Sequence, residues 1–178
     1  MGHRLTLILG GARSGKSALA GKLAERTSGR VLYVATAEAG DEEMAARIAA
    51  HRAARPVAWR TIEAPRNAGS EIRAAEKGEE VIVVDCITLL IANAIAPLGQ
   101  APAGGSGAAA REVDGLLDAY GRSAAEWIVV SNEVGLGLVP ETPMGREYRD
   151  ALGRANQELA AMADAVLFLV AGIPMVVK

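Results

Sequence analysis

The octapeptide Gly10-Gly11-Ala12-Arg13-Ser14-Gly15-Lys16-Ser17 follows directly on the apolar run Leu5-Thr6-Leu7-Ile8-Leu9. A glycine-rich turn that closes on Lys-Ser, after a strand and before a helix, is a phosphate-cradling P-loop. Its glycines let the backbone curl until successive N–H groups point at one anion. The helix opening near Lys16 aims the positive end of its dipole at the same place. Lys16 is expected to reach the β- and γ-phosphates of a nucleotide, and the Ser17 hydroxyl to ligate Mg²⁺ or another divalent cation. A strand, this loop and a helix in that order commit the chain to an α/β architecture.

The remaining apolar runs agree with that commitment. Residues 5–9, 31–35, 81–85, 127–131 and 165–170 are continuous rather than alternating, the pattern of strands buried on both faces of a parallel sheet. Residues 58–62 form a weaker strand candidate, and 174–178 a short terminal one after a turn at Gly172-Ile173-Pro174. Helical patterns lie between them at 17–28, 41–55, 112–125 and 144–163, and Asp41 is the N-cap of the second. The segment 97–110, rich in Gly, Ala and Pro, reads as a loop. Strands alternating with helices through 178 residues, without an internal repeat, predict one α/β domain over residues 1–178.

Composition narrows the function. A net charge of -2 argues against a surface built to hold nucleic acid, and 3% aromatic residues are too few for a base-stacking platform. One cysteine, Cys86, excludes an internal disulfide. With no leader pattern and no apolar run of about 18 residues, a cytoplasmic protein without a membrane span is expected.

Three further features bear on chemistry. The run Val81-Ile82-Val83-Val84-Asp85 ends in a carboxylate, which after a P-loop is placed to help hold the metal. Cys86 beside it reads as a small buried residue. In the helix at 41–55, Arg47, His51 and Arg55 recur every four residues and share one face. Cations beside an imidazole favour its neutral form, whose lone pair can attack phosphorus while the arginines hold phosphate oxygens. The spacing equally allows His51 to pack with Met44 and Ile48 and the arginines to be a solvated face. His3 belongs to no pattern. The Asn132-Glu133-Val134-Gly135-Leu136-Gly137 loop follows a strand and is expected near the ligand, with Asp85 and Glu133 as candidate bases.

Taken with the P-loop, these motifs resemble the bifunctional adenosylcobinamide kinase / adenosylcobinamide-phosphate guanylyltransferase family of cobalamin biosynthesis. The resemblance runs through Tyr33-Val-Ala-Thr-Ala37, Asp41 to Ile48 with His51-Arg52, Trp59 to Glu63, Asp85 to Leu89, Ser131 to Pro140, Gly153-Arg-Ala-Asn-Gln157 and Gly172-Ile-Pro174. It implies a RecA-like P-loop fold and a homotrimer. It also implies two reactions on a corrinoid substrate: phosphorylation of adenosylcobinamide by ATP or GTP, and transfer of GMP from GTP to the resulting phosphate through a histidine–GMP intermediate, giving adenosyl-GDP-cobinamide. The position matching that histidine is His51. The family's nucleotide contacts fall on Gly10, Gly11, Ala12, Arg13, Ser14, Gly15, Lys16, Ser17, Ala35, Thr36, Ala37, Arg52, Ala53, Ala54, Arg55, Glu63 and Asp85, with Ser17 and Asp85 at the metal. The chain departs from some relatives in having Ala50 beside His51 instead of a second histidine, and Asp85 instead of glutamate.

Overall fold

The apolar runs pair as the strands of one sheet. The computed structural model describes residues 4–27, 29–53, 55–96 and 105–178. Strands β1 (Leu5–Gly10), β2 (Val31–Ala35), β3 (Arg60–Glu63), β4 (Val81–Asp85), β5 (Glu126–Val130), β6 (Ala165–Val170) and β7 (Ile173–Val176) lie in the spatial order β3-β2-β4-β5-β1-β6-β7. All neighbours run parallel except the β6–β7 hairpin, which is antiparallel. Its turn, Ala171-Gly172, has positive φ at both residues, 51° and 82°, as a two-residue hairpin requires. The turn thus comes two residues before Pro174, and β7 starts at Ile173.

The helices are α1 (Lys16–Arg26), α2 (Glu42–Ala53), α3 (Ala68–Ala75), α4 (Ile87–Ile95), α5 (Ser106–Arg122) and α6 (Pro143–Met162). Alternation along each strand splits the core into two layers. On one face Leu5, Leu7, Leu32, Val34, Ile82, Val84, Trp127 and Val129 pack against Ile72 of α3, Leu90 of α4, Leu116 of α5 and Leu152 of α6. On the other, Ile8, Val31, Tyr33, Val81, Val83, Ile128 and Val130 meet Ala20 and Ala24 of α1. Helix α2 buries none of its residues. It is held by its cap, where the Met44 N–H donates to Asp41 Oδ1 at 2.7 Å. Thr142 caps α6 in the same way, accepting from the Gly145 N–H at 3.1 Å, with Pro143 in the first turn.

Several boundaries differ from the sequence reading: β3 spans Arg60–Glu63 where 58–62 was expected, and α1 spans Lys16–Arg26 where 17–28 was expected. Residues 106–110 belong to α5, not to a loop: their alanines extend the helix backward to Ser106, and it ends at Arg122. Helix α3 starts after Asn67 and α4 after Cys86, and neither of these side chains makes a cap hydrogen bond. The Asn67 and Ala68 N–H groups that open α3 donate to the Glu112 carboxylate, a cap supplied from α5. Helix α4 reads Ile-Thr-Leu-Leu-Ile-Ala-Asn-Ala-Ile and is buried along most of its length, so amphipathic period is faint. His3, Ala54 and the segment 97–104 lie outside the described residues.

Candidate active site

The loop after β1 is shaped by what its glycines permit. Gly10 has φ +150°, and a Cβ there would stand 2.6 Å from the Leu169 carbonyl oxygen and 2.8 Å from Ser14 Oγ. Gly15 has φ +96° at the cap of α1, and Arg13 takes the left-handed conformation at φ 57°. The Gly172 N–H donates to the Ser14 carbonyl at 3.0 Å, fastening the β6–β7 turn to the loop. Ser14 Oγ is buried without a hydrogen-bond partner, a polar group that a bound phosphate would satisfy. The Lys16 ammonium donates to the Gly11 carbonyl at 2.7 Å. Burial lowers its pKa, against the opposing pull of Cys86 and Asp85.

These residues line a cavity of about 540 Å³ beyond the carboxyl ends of the strands, where parallel α/β sheets bind ligands. Ala12 to Ala18 form one side, Ala35 and Ala37 extend from β2, Glu63 ends β3, and Asp85 and Cys86 end β4. Cys86 is half-buried at the cavity wall, and desolvation pushes its thiol pKa up to about 11. That is the inert residue the sequence suggested, not a nucleophile. Strand β5, lying between β1 and β4, contributes Val130 and, just beyond it, Asn132.

Ser17 and Asp85 meet as the sequence predicted. The Ser17 hydroxyl donates to Asp85 Oδ1 at 3.2 Å. Two hard oxygen donors beside a phosphate cradle fit Mg²⁺, which keeps most of its waters and needs few protein ligands. Among the described residues no group of three or more His, Cys, Asp or Glu is placed to hold a metal ion by itself.

The opposite wall is α2. Met44, Arg47, Ile48 and His51, with Arg55 past its end, face the cavity. His51 is exposed and borders the cavity, so it is not the packing residue that the helical spacing also allowed. The positively charged loop and the histidine helix thus face each other across one space. A triphosphate between them would meet Lys16 on one side and an imidazole flanked by guanidinium groups on the other.

The whole-chain comparisons agree with this geometry. Residues 6–177 match the family model of CobU, cobinamide kinase / cobinamide phosphate guanyltransferase. The chain is 44% identical to the bifunctional adenosylcobalamin biosynthesis protein CobP of Pseudomonas aeruginosa, over 97% of this chain and 96% of that protein. It is 40% identical to the bifunctional adenosylcobalamin biosynthesis protein CobU of Escherichia coli, over 98% and 99% of the two chains. The protein of that name from Salmonella typhimurium is 41% identical over 98% and 99%. The chain belongs to the cobinamide kinase / cobinamide phosphate guanyltransferase family. It is an enzyme of that bifunctional kind, acting in adenosylcobalamin biosynthesis. Among solved structures, the RadB recombinase superposes with a TM-score of 0.51 over 93% of this chain and 73% of that one. At 18% identity this likeness shows the fold, a RecA-like P-loop architecture, and nothing of activity.

Within this family member the other expected site residues are distributed unevenly. Arg52 and Glu63 form an ion pair, but only Glu63 borders the cavity, while Arg52 and Ala53 lie on the exposed end of α2. Thr36 is fully buried. Its hydroxyl donates to the Cys86 carbonyl at 2.7 Å and accepts from the Cys86 N–H at 2.8 Å, clamping the chain just after Asp85. Gly10 and Gly11 shape the loop from behind the cavity surface. Glu133 does not border the cavity, and its carboxylate accepts from the Gly135 N–H in its own loop. Asn132 does border it. Its N–H donates to Thr88 Oγ1 at 2.8 Å, and its carbonyl accepts from Asn156 Nδ2 at 3.0 Å.

Sequence reasoning assigned no role to Tyr33. The tyrosine is buried in β2, and its hydroxyl donates to Asp85 Oδ2. Burial, with the neighbouring Asp85, holds that hydroxyl far above the usual tyrosine range, so it remains a donor. The Arg55 guanidinium carbon lies 4.1 Å from the centre of the Tyr33 ring, and Trp59 stacks on that ring at 6.1 Å. The available signal was a single aromatic residue in an otherwise aliphatic strand.

Proposed function

We propose that this enzyme phosphorylates adenosylcobinamide with ATP or GTP and then transfers GMP from GTP to adenosylcobinamide phosphate through a His51–GMP intermediate, releasing adenosyl-GDP-cobinamide. The observation that carries the reading is the placement of His51: exposed, on the cavity wall, in line with Arg47 and Arg55, and facing the P-loop. The names of the relatives support both activities.

In the guanylyl half-reaction a ring nitrogen of His51 attacks the α-phosphorus through its lone pair. A nitrogen–phosphorus bond forms, the bond from the α-phosphorus to the bridging oxygen breaks, and pyrophosphate leaves with the electron pair. An oxygen of the corrinoid phosphate then attacks the same phosphorus, the nitrogen–phosphorus bond breaks, and the imidazole, protonated on its other ring nitrogen, leaves as neutral imidazole with the electron pair. Arg47 and Arg55 hold phosphoryl oxygens, and Lys16 with the N–H groups of residues 11–17 neutralises the distal phosphates. In the kinase half-reaction the corrinoid hydroxyl oxygen attacks the γ-phosphorus, the bond from that phosphorus to the bridging oxygen breaks, the nucleoside diphosphate leaves with the electron pair, the hydroxyl proton passes to solvent, and no covalent enzyme intermediate is needed. Mg²⁺ held by Ser17 and Asp85 would supply charge neutralisation at the phosphates. Both Asp85 oxygens already accept hydrogen bonds, which suits a metal-positioning role better than that of a general base.

The residues named for nucleotide contact serve this reading by position: Arg13, Ser14 and Gly15 at the loop, Ala35, Ala37 and Glu63 along the strand ends, and Arg55 beyond α2. Assembly as a homotrimer is part of the proposal. Strand β7 exposes Ile173, Met175 and Val176, and the loop after β5 exposes Leu136, Leu138 and Val139, apolar surface that association would cover. No helix among the described residues is long and apolar enough to cross a membrane, which is compatible with work in the cytoplasm.

The two half-reactions separate experimentally. His51→Ala is expected to abolish GMP transfer while phosphorylation of adenosylcobinamide by ATP stays within a few-fold of wild type. Loss of both activities in a folded variant, or retention of GMP transfer, overturns the assignment.

A further inference from the structure

Tyr33 is the residue whose contacts exceed what a core position needs. In β2 it is flanked by Leu32 and Val34, which point to the opposite layer, and it shares a face with Ala35. The β2–β4 register sets Tyr33 opposite Val83 and Ala35 opposite Asp85. Strand pleating therefore places the Asp85 carboxylate one step along the same face, within reach of the tyrosine hydroxyl. The side chain is only 6% exposed and does not border the cavity. It touches two residues that do, Asp85 and Arg55.

We propose that Tyr33 is a positioning residue with two separable arms: its hydroxyl sets the Asp85 carboxylate toward Ser17, and its ring seats the Arg55 guanidinium at the histidine helix. The inference rests on the nucleotide chemistry proposed above and deepens it. A carboxylate at the end of a strand can rotate about its terminal torsion, which is broad and shallow. The tyrosine hydroxyl takes Oδ2 and thereby presents Oδ1 to the Ser17 hydroxyl at 3.2 Å. Partners of this kind, one shell behind a metal ligand, orient it and tune its affinity.

The second arm is aromatic. Arg55 forms no ion pair with a carboxylate among the described residues, although Arg52, three positions earlier, is paired with Glu63. The Arg55 Nε is buried without a hydrogen-bond partner. Its place is set by the Tyr33 ring at 4.1 Å, which Trp59 braces from the side chain's stacked neighbour position at 6.1 Å. An aromatic seat fixes a guanidinium without neutralising it, and so leaves its charge available to an anion in the cavity. A carboxylate seat would have spent that charge.

Three variants separate the arms. Tyr33→Phe keeps the ring and removes the hydroxyl. Bound with a non-hydrolysable GTP analogue, it is expected to hold Mn²⁺ about tenfold more weakly, read by electron paramagnetic resonance of free Mn²⁺, with the melting temperature little changed. Its ratio of kinase rate to His51 labelling rate stays that of wild type, because both steps use the same metal. Tyr33→Leu removes both arms, and its labelling by α-labelled GTP falls at least a further tenfold relative to its kinase rate. Arg55→Lys keeps a cation but loses planar stacking, and reads the second arm if Tyr33→Leu does not fold: labelling falls at least tenfold relative to the kinase rate. Wild-type Mn²⁺ affinity in Tyr33→Phe, with or without a lowered melting temperature, overturns the hydroxyl arm. Unchanged labelling in both Tyr33→Leu and Arg55→Lys overturns the ring arm. If the wild-type protein takes no α-label at all, the His51–GMP reading fails, while the Mn²⁺ measurement still decides the role of the Tyr33 hydroxyl.

Discussion

Replacing Lys16 by alanine asks whether one phosphate cradle serves both transfers. The lysine is 7% exposed, and its ammonium rests 2.7 Å from the Gly11 carbonyl. It is already inside the site, so little reorganisation stands between the resting position and a phosphate. A unit charge about 4 Å from a phosphate oxygen, at an effective dielectric of about 20, contributes about 4 kcal/mol. Part of that is offset by breaking the Gly11 contact, worth about 1 kcal/mol net. The remaining ~3 kcal/mol corresponds to a fall of about a hundredfold or more in rate. Both the kinase and the guanylyl-transfer rates should drop by this amount, since in the proposed mechanism Lys16 neutralises distal phosphates in either reaction. The fold should survive. The lost hydrogen bond is weighed against relief from burying a cation, the cause that dominates the lowered lysine pKa. Initial rates of corrinoid phosphorylation and of GMP transfer, measured separately on protein with a near-wild-type melting temperature, check the prediction. Either rate within tenfold of wild type would refute the reasoning for that step.

Three other outcomes follow from particular contacts. Gly10→Ala places a methyl group 2.6 Å from the Leu169 carbonyl oxygen at φ +150°, and should lower unfolding stability by roughly 2–3 kcal/mol in denaturant titration; an unchanged midpoint would contradict the loop geometry. Glu79 is subject to burial, which raises its pKa, but the Lys77 N–H and the Arg60 guanidinium outweigh this and hold it below its usual 4.5. Its contribution to stability is therefore present above about pH 4.5 and lost as pH falls through the lower folded value, so Glu79→Gln should flatten the acid limb of melting temperature against pH, and an unaltered limb would count against it. Light scattering coupled to chromatography should give about three times the 18.4 kDa chain mass, and a charged substitution at Met175 should shift it toward one chain; a wild-type monomer at micromolar concentration would refute the trimer.

How far the sequence reaches differs from element to element. The bounds of β2 and β4 were legible to the residue because parallel strands buried on both faces show as uninterrupted apolar runs, and those of β6 because it is such a run too, although it is partly exposed and pairs antiparallel with β7. The capped helix α2 was legible because Asp41 signals its start locally. Helix α3 was not, since its cap is Glu112, more than forty residues away in sequence, and tertiary capping leaves no local trace. The P-loop and the Ser17–Asp85 pair were legible because motif spacing encodes backbone geometry directly. His51 was ambiguous on spacing, since a helical stripe of Met44, Ile48 and His51 serves a core as readily as a cavity. The structure distinguishes them because α2 buries nothing and turns that stripe to the P-loop. Thr36 was grouped with the nucleotide contacts, yet its side chain is spent on the Cys86 backbone. Tyr33 was hidden for the converse reason: a buried strand position looks like packing until the β2–β4 register brings its hydroxyl to Asp85.

The central claim is that His51 carries GMP between GTP and the corrinoid phosphate. Its most direct test is incubation of the enzyme with Mg²⁺ and GTP labelled at either the α- or the γ-phosphate, followed by peptide mapping of the bound label. The account predicts label from the α-position and not from the γ-position, on the peptide containing His51, in a bond labile to acid and stable to base as a phosphoramidate is. The label should be absent in His51→Ala and should move to adenosylcobinamide phosphate on its addition. Label from the γ-position, or undiminished α-label in His51→Ala, would contradict it.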